Sequence, residues 1–225
     1  GAKIEDIVPR LEPYYIAKNL DSLISHGAKI EDIVPRLEPY YIAKNLDSLI
    51  SHGAKIDVSD LVFDLSPFNI AENLGPLVNH GAKIENIVSK LELSDTAKNL
   101  GFLVDHGAKI DVDDLVFDLK PSDVTENLDS LVNHGANIDN TVSKLEPSGV
   151  ARKLDFLVEH GADINNIVSK LEPSDVVGRL DFLVSHGAKI DVDDLVSNLW
   201  SYSIIENLDS LISHGAKIED IVPRL

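Results

Sequence analysis

Apolar residues recur along this chain with a helical rhythm. Ile4, Ile7, Val8 and Leu11 stand at i, i+3, i+4 and i+7, which places them on one face of a helix. A polar gap follows, and then a second and longer stripe. Val176, Val177, Leu180, Leu183 and Val184 show it most clearly, again on a single face. Gly187 comes directly after His186 and predicts a helix stop, because glycine takes the left-handed conformation without steric cost. Pro13, Pro39, Pro67, Pro121, Pro147 and Pro173 fall between the two stripes. There they mark the break or the first turn of the second helix.

The two-helix pattern is a repeat. All eight histidines (His26, His52, His80, His106, His134, His160, His186 and His214) lie in the tripeptide His-Gly-Ala, spaced by 26 or 28 residues. The repeats are 1–26, 27–52, 53–80, 81–106, 107–134, 135–160, 161–186 and 187–214, with a partial ninth at 215–225. Residues 27–52 copy 1–26 without a change, and 215–225 copy 1–11. No linker or low-complexity segment interrupts the array, so the reading is one continuous repeat domain over 1–225.

The 28-residue repeats carry two extra residues after an isoleucine, as in Ile110-Asp111-Val112-Asp113. Two residues inserted within a helix would turn its apolar face by about 200°. Val112, Leu115, Val116 and Leu119 instead restore the i, i+3, i+4, i+7 spacing, and Val58 and Val192 begin the same pattern in their repeats. The insertion therefore lengthens the loop before helix one. Asp57 with Asp60, and Asp111 with Asp114, have the spacing of an N-cap and an acidic third helical residue.

Helices this short are unstable alone and need cover from a partner and from the next repeat. That need predicts an all-α fold, an α-solenoid built as a superhelical stack of helix pairs. Its expected core is the ladder Ile4, Val8, Leu11, Leu20, Leu23 and their equivalents, interrupted once by Thr141. The open repeat pattern at both ends leads to two expectations, an excerpt of a longer array or copies stacked end to end.

A short helix, a loop and a longer helix ending in Leu-x-x-Leu-x-x-His-Gly resembles TAL-effector-like repeats. The run FLVSHGAKIDVDDLVSNLW at 182–200 resembles the repeats of the mitochondrial transcription termination factor family. Both resemblances imply an α-solenoid that binds nucleic acid, and the resemblance to TAL-effector-like repeats further implies a variable residue pair near the inter-helix loop that reads bases. The chain departs from both in its shorter period and in its charge. It holds 20 Lys and Arg against 38 Asp and Glu, a net charge of −18 with histidine neutral. Repeat 107–134 alone sets Lys109 and Lys120 against seven acids. Affinity for phosphate backbones is built from clustered Lys and Arg, so a nucleic-acid partner is disfavoured and remains the alternative reading.

The remaining chemistry is sparse. With 44% hydrophobic residues the chain can bury a core, and without cysteine it forms no disulfide or thiolate site. No apolar run approaches the ~18 residues that suggest a membrane span. The histidines read as helix C-terminal residues that bond the last carbonyls. As metal ligands they would have to converge, whereas equivalents in stacked repeats lie roughly 10 Å apart. Carboxylate pairs such as Glu31-Asp32, Asp113-Asp114 and Asp193-Asp194 complement the start of helix one. No nucleophile elbow, phosphate loop or dinucleotide fingerprint occurs. The expectation is a non-enzymatic chain without metal or cofactor. Lys3, Lys29, Lys55, Lys83, Lys109, Lys189 and Lys217 form a recurrent basic series, read as solvated charge.

Variation concentrates around the start of helix two. The positions are Tyr14 and Tyr15, Tyr40 and Tyr41, Phe68 and Asn69, Ser94 and Asp95, Ser122 and Asp123, Ser148 and Gly149, Ser174 and Asp175, then Trp200 and Tyr202. These are the candidate partner contacts, since aromatic residues of this kind anchor interfaces; surface drift or capping, and packing of the aromatics on the neighbouring repeat, are the alternative readings of the same positions. The function expected is a structural or protein-binding repeat scaffold whose partner is another protein or another copy of itself.

Overall fold

The computed structural model describes residues 4–225, in which every regular element is helical and no strand occurs. The chain divides into two compact units, Gly1–Ile110 and Asp111–Leu225. Lys3 of the recurrent basic series lies outside the described residues.

In both units each repeat places helix one, an extended corner, helix two and a glycine stop in that order. The 26-residue repeats at 27–52 and 81–106 show two forms of helix one. Ile84–Lys90 is α-helical throughout, whereas Ile30–Ile33 passes into a 3-10 turn, Val34–Arg36. Pro35 explains the difference, because it has no N–H to continue the i to i−4 ladder. In the 28-residue repeats helix one begins at Val58, Val112 and Val192, beyond the lengthened loop. Asp57, Asp111 and Asp191 cap these helices by accepting from the next two backbone N–H groups but one.

Helix two departs from the expected single helix. In most repeats it is two six-residue pieces, such as Pro39–Lys44 and Leu46–Ser51, separated by one residue, Asn45. The Asn45 Nδ2 donates to the Tyr41 carbonyl at 2.9 Å. Asn73, Asn99, Asn127 and Asn207 make the same bond to the carbonyl four residues back. An asparagine that takes an i−4 carbonyl competes with the backbone ladder and loosens the turn. Lys153 stands at this position in repeat 135–160, and there helix two is unbroken from Pro147 to Glu159. Arg179 makes no such bond but follows Gly178, and the helix still breaks. A helical glycine has more backbone freedom to lose.

The glycine stop follows expectation. The eight glycines after the histidines have φ between +81° and +101°. At the first of them, the Gly27 N–H donates to the Ile24 carbonyl and the Ala28 N–H to the Leu23 carbonyl. That is the Schellman pair, with Ala28 buried behind it.

Within the first unit, Ile33, Leu49, Leu77, Ile87 and Leu103 are fully buried, as are Leu131, Val142, Leu157 and Leu183 in the second. Truncating such a leucine to alanine costs about 2–5 kcal/mol. Thr141 joins this core, its hydroxyl donating to the Asn137 carbonyl at 2.8 Å, so the polar interruption is satisfied.

Neighbouring repeats are also tied through helix ends. The cation closing helix one donates to the carbonyls that end helix one of the preceding repeat. In the first unit Arg36 reaches the Leu11 carbonyl at 3.1 Å and Lys90 the Phe63 carbonyl at 3.3 Å. In the second, Lys144 reaches Phe117, Lys170 reaches Ser143 and Arg224 reaches Ser197. Each cation meets the negative end of a helix dipole, an effect of about 0.3–1 kcal/mol. A reciprocal bond links helix starts: Asp113, Asp139 and Asn165 accept from the backbone N–H of Asn137, Asp163 and Lys189.

Candidate interaction face

In the first two repeats the residues that follow the proline opening helix two come beside their equivalents in the adjacent repeat. In the first unit this brings four tyrosines together. Tyr14 meets Tyr15 edge-on at 5.2 Å between ring centroids and Tyr41 of the next repeat at 6.4 Å, and Tyr40 lies 5.1 Å from Tyr41. Lys18 Nζ sits 5.8 Å from the Tyr14 ring centroid, and Lys44 Nζ 5.6 Å from that of Tyr40. Tyr14, Ala17, Lys18, Tyr41, Lys44 and Asn45 line a cleft of about 360 Å³.

The other candidate positions are dispersed. Phe68 is 63% exposed beside half-buried Asn69, and Ser94 and Asp95 are half-buried. In the second unit Ser122, Ser148 and Ser174 are exposed, with Asp123 and Asp175 half-buried behind them. Gly149 does not belong to the face. It is buried, and a Cβ there would lie 2.8 Å from the Thr125 hydroxyl oxygen. Its place is a close approach between two helices, which explains the missing side chain. Trp200 and Tyr202 are 83% and 69% exposed. The Tyr202 hydroxyl donates to Glu206 at 2.5 Å, and this bond and the glutamate charge raise its pKa.

Five histidines face their own helix end. The Nδ1 atoms of His26, His106, His134, His160 and His186 lie 2.7–2.9 Å from the carbonyl four residues back. A carbonyl only accepts, so each Nδ1 carries the proton. Three of these rings also lie against Phe102, Phe156 and Phe182. The other three histidines reach the preceding repeat. His80 Nε2 donates to Asp47 at 2.7 Å, while His52 and His214 lie 3.5 and 2.8 Å from Asp21 and Asp181.

Ser48, Asp21 and His52 form a cluster, but the Ser48 hydroxyl donates to the carboxylate at 2.6 Å. A nucleophilic serine needs its proton directed at the imidazole, so this order stabilises the carboxylate instead. The Ser48 bond first, then the His52 bond and charge, hold the Asp21 carboxyl below the usual range. Among the described residues no group of three His, Asp or Glu side chains converges as for a metal ion. Among the described residues of the recurrent lysine series, Lys217 pairs with Asp193 at 3.4 Å, which raises the lysine pKa. No helix among the described residues is long and apolar enough to cross a membrane.

Phe63 and Phe117 were not among the residues singled out from the sequence. They occupy the helix-one position held by Pro9 in the first repeat and are 53% and 78% exposed. Phe117 borders a 490 Å³ cleft with Asp113, Asp114, Val116, Asn140, Ser143 and Lys144. The signal was available: Phe117 falls outside the stripe of Val112, Leu115, Val116 and Leu119. No family model matches this chain, and no curated protein is similar to it.

Proposed function

We propose that the chain is a non-enzymatic repeat scaffold that holds protein partners on the leading face of helix two. The observation that carries this reading is the aromatic content of that face. Tyr14, Tyr15, Phe68, Trp200 and Tyr202 are all substantially exposed on a framework whose other large side chains are mostly in the core. Exposed aromatic residues on rigid elements bring large contact area with little rotamer entropy to lose. The net charge of −18 works against long phosphate backbones.

Selection of random displayed peptides on the immobilised chain tests the reading. The expected result is enrichment of peptides whose binding falls at least tenfold on Phe68→Ala, on Trp200→Ala/Tyr202→Ala or on Tyr14→Leu. Enriched peptides indifferent to all of these exposed positions, or no enrichment, overturn it.

A further inference from the structure

We infer that the cleft between Tyr14 and Tyr41 receives a short acidic peptide, one apolar side chain entering the cleft while flanking carboxylates meet Lys18 and Lys44. This deepens the scaffold reading and rests on it, since it assigns a partner chemistry to one part of the same face.

Charge distinguishes this cleft from the others. The three other clefts described contain Asp113 and Asp114, Asp21 and Asp47, or Glu31. The tyrosine cleft contains Lys18 and Lys44 and no carboxylate. Its volume is near the lower end of ligand pockets, about 300–1,000 Å³, which suits one side chain rather than a folded surface. The neighbouring acids Glu12, Asp21, Glu38 and Asp47 do not line the cleft, so a carboxylate that enters it meets Lys18 and Lys44.

The aromatic geometry points the same way. The tyrosines meet edge to face, and ring edges carry the positive rim of the quadrupole. The Lys18 and Lys44 side chains line the cleft, and the Lys44 ammonium also donates to the Tyr40 hydroxyl at 3.4 Å. A carboxylate finds these ammonium donors there. A stacked nucleobase needs an open ring face, whereas Lys18 and Lys44 lie near the rings of Tyr14 and Tyr40. The pairing of two tyrosines and a lysine in successive repeats is confined to the first two. Equivalents of Lys18 further along include Glu72, Glu126 and Glu206.

The test is fluorescence anisotropy with the full chain and four labelled probes: a phenylalanine flanked by glutamates, the same peptide with serine for phenylalanine, the same peptide with lysines for glutamates, and oligothymidylate. The glutamate–phenylalanine peptide is expected to bind saturably and at least tenfold tighter than the other three. Lys18→Glu/Lys44→Glu is expected to cost at least tenfold, and Tyr14→Leu to weaken binding several-fold, with circular dichroism unchanged. All three positions are exposed, so folding is expected to survive. No binding of the first probe up to 1 mM (about −4 kcal/mol), equal binding of the lysine peptide, tighter binding of oligothymidylate, or indifference to the lysine reversal each overturns the proposal. Failure here alongside peptides selected through Phe68 or Trp200 removes the cleft assignment and leaves the scaffold reading standing.

Discussion

Gly149 shows how one residue's meaning depends on its neighbour. In a helix, alanine is favoured over glycine by roughly 1 kcal/mol. At Gly149 a Cβ would meet the Thr125 hydroxyl at 2.8 Å, and overpacking of this kind costs about 1–3 kcal/mol. Gly149→Ala is therefore expected to destabilise the protein by about 1 kcal/mol in chemical denaturation. Adding Thr125→Ala is expected to remove most of the clash, and the double-mutant cycle measures that coupling. Asp21 supplies a second residue-scale expectation. Its lowered pKa comes from the Ser48 bond and then from His52. A depressed carboxyl pKa adds stability above the unfolded value and loses it as pH falls through the folded one. The gap in melting temperature between wild type and Asp21→Asn is thus expected to narrow from about pH 5 to about pH 3. A gap constant across that range contradicts the assignment.

At the scale of elements, much of the repeat was legible beforehand. Glycine after histidine, proline at the corner and the restored spacing at Val112 each report a local backbone requirement, and each appears where expected. The break in helix two was not legible. Asn45 and its equivalents are compatible with a helix until their side chains take the i−4 carbonyl. Nor were the cations Arg36, Lys90, Lys144, Lys170 and Arg224 distinguishable from solvated charge. Their acceptors belong to the preceding repeat, 25–27 residues away. Of the candidate site, the tyrosine cluster was legible because adjacent repeats must juxtapose equivalent positions. The burial of Gly149 depends on Thr125, a contact outside its own periodicity. Gly178 provides the element-scale test. A Cβ there meets nothing within 4 Å and the backbone is not left-handed. Gly178→Ala is expected to stabilise by about 0.5–1 kcal/mol and to slow amide exchange around Leu180. A loss of stability would show that the break beside Arg179 is required by packing.

At the scale of the whole molecule, the sequence pattern describes a chain assembled from near-identical, short-range contacts, each repeat supporting its neighbours within its compact unit. Such stability is approximately a sum of repeat and interface terms. Charge is the other property of the whole. Protonating the eight histidines would change the net charge from −18 to −10, still strongly acidic. The proposed non-enzymatic, protein-contacting role stands against the base-reading function that the resemblance to TAL-effector-like repeats implies. Fluorescence anisotropy against random-sequence single- and double-stranded DNA and RNA pools, titrated with salt, separates the two most directly. No binding tighter than about 10 μM is expected even at low salt, because few phosphates can be neutralised. Tighter binding that falls steeply as salt rises would contradict the proposed role and return the variable pairs to that of base readers.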